Sequence, residues 1–203
     1  MRGDEIIAAA GSAELLAEVG CDHAKLTELA LMRGVCKRAV VSDISAVCLK
    51  KAERTLARFG DKVTYVVADG VPKEAESADC ILICGMGGHL VRDILRRYDG
   101  DARLVLSPQS HAELVRAEIA ESGRRITVDR CIRSAGKYYD IIVSERGHMD
   151  APDEMQAEFG MFWKEPTDAL IEKLERMRDN LMQGGERTKA RADRIGEVLK
   201  WRK

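Results

Sequence analysis

The sequence predicts an α/β protein with a mostly parallel central sheet. Short apolar segments rich in β-branched residues alternate with amphipathic segments of helical length, the pattern of buried parallel strands joined by helices. A glycine turn at Gly20 follows the first apolar segment, and Asp43 ends the second about twenty residues later. Because parallel strands end at a common edge of their sheet, we expect these two positions to lie close together.

The elements follow a regular order after an N-terminal segment that we expect to form a short helix. We predict buried strands near residues 14–19, 38–43, 63–68, 78–84 and 103–107. Helices are predicted near residues 23–33, 45–59, 88–98 and 110–122. Asp43 or Ser45 can cap the second helix, and Ser110 the fourth. Two further strands, near 124–133 and 138–145, are joined by a tight, hairpin-like connection at 134–137.

The character of the chain changes from Asp153 onward. Apolar residues recur there at helical spacing among many charges, at Leu170, Leu174, Met177, Leu181 and Met182. Gly184-Gly185 interrupts this pattern, and a second helix is predicted over about 186–201. We therefore expect a domain over 1–152 and a coiled-coil-like helical hairpin over 153–203, which packs on the domain or on a second copy of the chain.

Composition narrows the functional classes. The 203 residues, 45% of them hydrophobic, suit one α/β domain with a proper core. No transmembrane run or signal peptide is recognised, and the six cysteines form no C-x-x-C pair, so we expect a cytoplasmic protein with reduced thiols. The net charge of −1 favours neither nucleic acid nor membrane, although residues 164–203 carry 11 basic and 8 acidic side chains. This basic tail permits contact with RNA.

The first strand and its glycine turn indicate a cofactor site. Gly20 allows a sharp turn, and the next helix offers free N–H groups, as in nucleotide-binding sheets. Asp22 and His23 replace the further glycines of the dinucleotide pattern, and a carboxylate there disfavours a pyrophosphate. S-adenosylmethionine, a cationic cofactor without phosphates, is the better candidate. Asp43 would accept hydrogen bonds from ribose hydroxyls or cap a helix, and Asp69 would accept from adenine or form a plain turn.

The glycine-rich stretch after the fourth strand bears on the methyl acceptor. Gly85-Met86-Gly87-Gly88 stands where amino-directed methyltransferases carry Asn/Asp-Pro-Pro-aromatic. A ring nitrogen already has an in-plane lone pair and needs positioning more than activation, so the missing tetrad favours a ring nitrogen such as adenine N1. These glycines are equally compatible with a loop that needs positive φ. Three histidines on the same edge suggest a metal, but they lack tight ligand spacing and we expect none.

The terminal antiparallel pair after five parallel units is the arrangement of class I methyltransferases, with a Rossmann-like sheet. Specific motifs occur at Glu18-Val19-Gly20-Cys21-Asp22-His23-Ala24, Ser42-Asp43-Ile44-Ser45, Asp69-Gly70, Cys84-Gly85-Met86-Gly87-Gly88, Leu106-Ser107-Pro108-Gln109-Ser110-His111 and Gly136-Lys137-Tyr138-Tyr139. Over residues 15–147 the chain thereby resembles the TrmK family of bacterial tRNA adenine-N1 methyltransferases, which modify adenosine at position 22. Ser107 and Gln109 stand where that family has Gln and Asn.

The resemblance implies S-adenosylmethionine as cofactor, tRNA as partner and a C-terminal appendage that helps to hold the tRNA. It implies that Asp22 faces the target base as the candidate catalytic residue. The implied cofactor contacts are Glu18, Gly20, Cys21, His23, Asp43, Ile44, Asp69, Gly70, Gly85, Met86 and Gly87. The implied acceptor contacts are Pro108, Gln109, His111, Lys137 and Tyr139.

Three alternatives remain open on the sequence alone. One is an RNA-binding protein that keeps the fold without catalysis, suggested by the altered Ser107-Pro108-Gln109 segment. Another is a methyltransferase acting on a small molecule, since the basic charge is modest. A nicotinamide-dependent oxidoreductase is disfavoured by the missing glycines and by Asp22. The C-terminal helices also allow self-association.

Overall fold

A computed structural model describes residues 1–181 and 186–202 and contains one continuous sheet. Its strands are β1 (Ala13–Val19), β2 (Cys36–Asp43), β3 (Val63–Val67), β4 (Cys80–Cys84), β5 (Arg103–Ser107), β6 (Arg124–Ser134) and β7 (Lys137–Arg146). The helices are α1 (Arg2–Ala10), α2 (Lys25–Met32), α3 (Ala46–Leu56), α4 (Gly88–Arg96), α5 (Ala112–Glu121), α6 (Glu154–Phe159), α7 (Asp168–Leu181) and α8 (Glu186–Leu199). Short 3₁₀ turns occupy Ala57–Lys62 and Lys73–Ala75.

The sheet order is β3-β2-β1-β4-β5-β7-β6. Strands β1 to β5 are parallel, and β7 runs antiparallel between β5 and β6. This arrangement confirms the predicted fold class. Strands β1 to β3 form one half of the sheet and β4 to β7 the other, so the strand order reverses between the neighbouring strands β1 and β4. Open α/β sheets bind ligands at such a position, beyond the carboxyl ends of their strands.

Both faces of the sheet are covered by helices. Along β4, Ile81 and Ile83 pack toward α4 and α5, whereas Leu82 packs toward α1 and α2, as the alternation of a strand requires. All three side chains are fully buried, and neighbouring strands repeat the pattern. Apolar strands of this kind fit only an interior with helices on both sides, which is why the sequence predicts them well.

Several element boundaries differ from the predictions for local reasons. Helix α5 begins after His111, which adopts a left-handed conformation with φ 51°, so the predicted cap by Ser110 is wrong. Ser45 does cap α3 by accepting from the Cys48 N–H at 3.4 Å. The short helix α6 was not predicted, although Asp153 and Gln156 form the reciprocal bonds of a capping box that marks its start.

The connection between β6 and β7 is the predicted tight hairpin. Ser134 pairs with Lys137, and the two residues between them, Ala135 and Gly136, have φ values of 49° and 77°. Two successive left-handed residues are characteristic of the hairpin turn whose twist matches that of the flanking strands. Strand β7 begins at Lys137 and contains both Tyr138 and Tyr139.

The C-terminal helices pack on β6 and on each other. Phe159, Leu170, Leu174 and Ile195 form one buried apolar cluster with Cys131 of β6. The predicted break at Gly184-Gly185 and the apolar position Met182 lie outside the described residues. Across residues 1–181 and 186–202, no helix combines the length and the apolar character that crossing a membrane requires.

Candidate active site at the carboxyl edge of the sheet

The glycine turn after β1 is held against the end of β2. Gly20 has a φ of 69°, and its N–H donates to the Ser42 carbonyl at 2.8 Å. The Asp43 carboxylate accepts from the Asp22 N–H at 3.2 Å and from the Ser45 N–H at 2.9 Å. Asp43 therefore joins the glycine turn to the start of α3, in the place where the sequence predicts a ribose contact.

A cleft of about 260 Å³ opens beside this turn. Its lining residues are Val19, Gly20, Asp43, Ile44, Ala68, Asp69, Gly70, Met86, Leu90 and Ile94. A Cβ atom at Gly20 would lie 1.9 Å from Cε of Met86 and would displace this flexible side chain from the floor of the cleft, and the φ of 69° itself favours glycine. Ile44 and Leu90 are 72% and 47% exposed and present apolar surface that a flat ring could cover.

Asp69 lies at the end of the cleft and is paired with a residue that the sequence did not point to. Its two carboxylate oxygens accept from the two terminal nitrogens of Arg97, which follows α4, at 3.0 and 3.1 Å. These hydrogen bonds lower the pKa of the Asp69 carboxyl. A carboxylate has about four acceptor positions, so Asp69 can still accept a further hydrogen bond from a ligand.

The glycine-rich loop after β4 packs tightly against the loop after β5. A Cβ at Gly88 would lie 2.2 Å from the His111 carbonyl oxygen, which belongs to backbone and cannot swing away. The Gln109 N–H donates to the Met86 carbonyl at 2.8 Å, and Gly85 has a φ of 87°. The glycines are thus required by close backbone approach as well as by a left-handed turn. Gln109 is brought next to the cleft wall.

Asp22 is exposed at the rim and is bound to a lysine of α3. Its Oδ1 accepts from Nζ of Lys51 at 2.9 Å, and the imidazole of His23 lies 3.8 Å from its Oδ2. The hydrogen bond from Lys51 lowers the pKa of the Asp22 carboxyl, with His23 adding to the effect. Asp22 also has a φ of 43°, an uncommon conformation for a residue other than glycine. It is therefore an ionised carboxylate on a strained turn.

Five of the predicted cofactor contacts are not among the lining residues of the cleft, namely Glu18, Cys21, His23, Gly85 and Gly87. Glu18 is buried, and its Oε2 accepts from the N–H and the hydroxyl of Thr27 at 2.9 and 2.5 Å. Cys21 packs with Ala24 and Val41 in the apolar layer beneath α3. These two predicted cofactor contacts thus hold the first turn of α2 and the base of the loop.

We expect Glu18→Gln to change how stability depends on pH. Burial raises the pKa of the Glu18 carboxyl to about 7 from 4.5, despite the opposing hydrogen bonds from Thr27. Between these values the folded state retains a proton that the unfolded chain has lost, so the stability of the wild type falls as pH rises. Glutamine does not titrate. The melting temperature of Glu18→Gln, relative to that of the wild type, should therefore rise as the pH is raised from about 5 to about 8.

Glu14→Gln is the matched control for this titration, because Glu14 lies on the same strand but is exposed and paired with Lys37. It should show no such trend. A difference between Glu18→Gln and the wild type that stays constant with pH would contradict the assignment.

Four of the five predicted acceptor contacts line one polar groove of about 460 Å³. They are Pro108, Gln109, His111 and Lys137. The opposite wall comes from the C-terminal helices and contributes Glu158, Lys173 and Arg191. Tyr139 is not among the lining residues, whereas Tyr138 is. Neighbouring residues of a strand point to opposite faces, and Tyr139 lies under the guanidinium of Arg2 instead.

The histidines at this edge do not form a metal site. The rings of His89 and His111 meet edge to face at 4.8 Å, and Nδ1 of His111 lies 2.9 Å from a Glu113 oxygen. In the described parts of the chain, no group of three His, Cys, Asp or Glu side chains has the geometry to hold a metal ion. All six cysteines are free.

Sequence reasoning missed three basic residues at this edge, Arg2, Lys51 and Arg97. Each reaches its partner over a long sequence separation, with Arg2 and Ser107 being 105 residues apart. No local motif marks such residues, because their roles depend on how helices α1, α3 and α4 are placed around the sheet.

Comparisons with known proteins agree with this geometry. A family model described as a methyltransferase domain matches residues 2–142. A tRNA (adenine(22)-N(1))-methyltransferase of Bacillus subtilis (strain 168) is 30% identical over 145 residues, which cover 68% of this chain but only 60% of that relative.

Solved structures extend the similarity over nearly the whole chain. A Streptococcus pneumoniae protein, a proposed tRNA (m1A22) methyltransferase, has a TM-score of 0.88 at 26% identity, with 98% of each chain covered. A structure of the same protein in complex with S-adenosyl-L-methionine has a TM-score of 0.86 at 26% identity, again with 98% of each chain covered. The resemblance indicated by the sequence motifs is confirmed.

Proposed function

This chain belongs to the methyltransferase domain family, and we propose that it methylates N1 of an adenosine in tRNA, at position 22, with S-adenosylmethionine as methyl donor. The observation that carries the proposal is the contact between the cleft and the groove. Met86 lines the cleft, Gln109 lines the groove, and a 2.8 Å hydrogen bond joins their backbones. A donor and an acceptor bound on the two sides would meet at this point.

The cleft fits the cofactor in shape and charge. Among the described residues, its lining side chains include the carboxylates Asp43 and Asp69 and no basic group, although Arg97, outside the lining, is paired with Asp69. Such a lining disfavours phosphates and favours hydroxyls, an exocyclic amine and a positive charge. When bound, S-adenosylmethionine supplies a reactive sulfonium methyl group. Asp43 would hold the ribose, Asp69 the adenine amine, and Ile44 and Leu90 would cover the ring.

The groove fits an RNA acceptor better than a small molecule. The groove is polar and extends from Lys137 at the sheet edge to Lys173 of α7 and Arg191 of α8. The Lys137 ammonium suits a phosphate of an RNA backbone, whereas Lys173 and Arg191 are paired with Asp140 and Glu158 and would exchange these carboxylates for phosphates. We propose accordingly that residues 1–152 bind the cofactor and that residues 153–203 contribute to holding tRNA, a substrate consistent with a cytoplasmic location. The apolar side chains of α7 and α8 pack internally and on β6, so self-association is not part of the proposal.

Asp22 lines neither the cleft nor the groove, but its N–H contacts the cleft residue Asp43, and the family resemblance makes it our candidate for steadying the acceptor base. The Lys51 ammonium keeps it ionised, so it acts as a carboxylate that accepts a hydrogen bond and not as an acid that gives a proton. N1 lies on the Watson–Crick edge, so the base must first leave any pairing. A carboxylate beside that edge can orient the amino group and stabilise the positive charge that methylation leaves on the ring.

We expect Asp22→Asn to lower kcat/KM for tRNA by about 100-fold, the usual cost of removing one group that stabilises charge at a reacting centre. Asparagine tolerates the left-handed conformation at this position, so the turn should survive the change. The dissociation constant of S-adenosylmethionine, measured by calorimetry, should therefore stay within about 3-fold of the wild type. A folded Asp22→Asn protein that methylates at the wild-type rate would remove this role.

Transfer of labelled methyl from S-adenosylmethionine to unmodified bacterial tRNA tests the function itself. We expect labelled 1-methyladenosine in the digested product and loss of the label when the adenosine at position 22 is replaced. Cofactor binding without transfer would indicate a different acceptor. tRNA binding with neither cofactor binding nor transfer would favour a non-catalytic RNA-binding protein.

A further inference from the structure

Arg2, the first residue of α1, reaches the edge at which the acceptor is proposed to bind. Its guanidinium Nη2 donates to the hydroxyl and the carbonyl of Ser107, the last residue of β5, at 3.1 and 3.3 Å. Its backbone N–H donates to the Ser134 hydroxyl at 3.0 Å, beside the β6–β7 turn. Arg2 thereby connects three elements that are remote in sequence.

The same guanidinium lies on the ring of Tyr139. Its Cζ is 4.5 Å from the ring centroid, the range in which a cation and an aromatic face attract each other. The Nε atom of Arg2 is fully buried and has no hydrogen-bond partner within residues 1–181 and 186–202. An unpaired buried donor carries an energetic cost, which the contacts of this guanidinium with Ser107 and Tyr139 offset.

The two groups that Arg2 holds are sequence neighbours of residues that line the proposed acceptor groove. Ser107 directly precedes Pro108 and Gln109, which line the groove. Tyr139 does not line the groove itself, but it directly follows Lys137 and Tyr138 on β7, which do. Without Arg2, the Tyr139 ring would lose the cation that lies on its face, and the hydroxyl of Ser107 would lose its donor.

We propose that Arg2 is a positioning residue for the acceptor base, acting through Tyr139 and the Ser107–Gln109 segment. The inference rests on the proposed function and goes beyond it by assigning a role to α1. A guanidinium is suited to this task because its planar fork can donate to Ser107 while its face covers the tyrosine ring. Cofactor contacts lie on the other side of Met86 and should be unaffected.

The test compares Arg2→Ala with the wild type for methyl transfer to tRNA and for cofactor binding by calorimetry. We expect kcat/KM for tRNA to fall about 10–100-fold, as small displacements at a reacting centre do. The dissociation constant of S-adenosylmethionine should change by less than about 3-fold. Arg2→Lys, which keeps the cation but not the fork, should recover part of the loss.

Asp4→Asn is the matched control, because it removes the charge by which the same helix pairs with Arg33 at the end of α2. It should leave kcat/KM within about 3-fold of the wild type. A double-mutant cycle with Tyr139→Ala adds a readout that a purely structural role would not change. If Arg2 acts through Tyr139, the Arg2→Ala loss should shrink to about 2–3-fold in the Tyr139→Ala background.

Each outcome bears on a separate claim. If the wild type transfers no methyl group to tRNA, the proposed function fails and this inference fails with it. If the wild type is active and Arg2→Ala matches it, or if Asp4→Asn reproduces the loss, the inference about Arg2 is wrong and the function stands. Additive effects of Arg2→Ala and Tyr139→Ala would likewise overturn it.

Discussion

Asp43→Ala should raise the dissociation constant of S-adenosylmethionine by about 100-fold or more, because each hydrogen bond to a charged group contributes about 1.5–3 kcal/mol. The carboxylate stands at the carboxyl end of β2 and lines the cleft beside Gly20. It would supply both acceptors for the cofactor ribose, and no neighbouring side chain is placed to replace them in the described parts of the chain. Isothermal titration calorimetry measures the effect directly.

Ser45→Ala is the appropriate control for this substitution. Asp43 also accepts from the Ser45 N–H, so its loss could act by loosening the start of α3. Ser45→Ala removes the cap of α3 but leaves the Asp43 carboxylate in place. We expect a lower melting temperature with cofactor affinity within about 3-fold of the wild type. If Asp43→Ala and Ser45→Ala lower the affinity for S-adenosylmethionine equally, Asp43 acts only by holding the start of α3 and does not contact the cofactor.

Asp129→Ala should lower the free energy of unfolding by about 3–5 kcal/mol, the usual cost of removing one partner of a buried ion pair. Asp129 accepts from Nε and Nη2 of Arg116 at 2.7 and 3.0 Å and from the Met161 N–H at 2.8 Å. Arg116 in turn donates to the Ala157 carbonyl at 2.9 Å. The pair thus fastens the segment around α6 to β6 and α5. Urea unfolding at equilibrium measures the loss.

An exposed pair and a paired replacement serve as comparisons for Asp129→Ala. Glu14→Gln breaks the surface contact with Lys37, 2.8 Å long, and should not shift the urea midpoint measurably. Replacing Arg116 by Met and Asp129 by Leu together should recover part of the stability, since no buried charge is then left alone. A loss of less than about 1 kcal/mol in Asp129→Ala would show that the pair adds little.

Local sequence patterns were sufficient to predict most strands of the sheet. The apolar segments around Leu16, Val40 and Leu82 are recognisable because a strand buried on both faces contains few polar residues. The hairpin at 134–137 follows from the need for two left-handed residues, which Gly136 eases. Helix α6 was missed because six residues are too short to show periodicity, although its capping box was visible in the sequence.

The candidate site was predictable in its positions but not in its contacts. Gly20, Asp43 and Asp69 follow strands whose ends must meet, so the sequence alone places them at one edge. Whether Tyr138 or Tyr139 enters the groove depends on the register of β7. A change of one residue in the register would turn every side chain of the strand to the other face. Glu18 and Cys21 belong to the motif, yet Glu18 is buried against Thr27 and Cys21 packs in the apolar layer beneath α3.

By itself, the sequence determined the order of strands and helices, the glycine turn and the acids that follow β2 and β3, because these depend on neighbours in the chain. The tertiary structure alone decided that Lys51 holds Asp22, that Arg97 holds Asp69 and that Arg2 lies on Tyr139. It also decided that the C-terminal helices form one wall of the groove. These contacts join residues far apart in sequence, and only the packing of helices on the sheet brings such residues together.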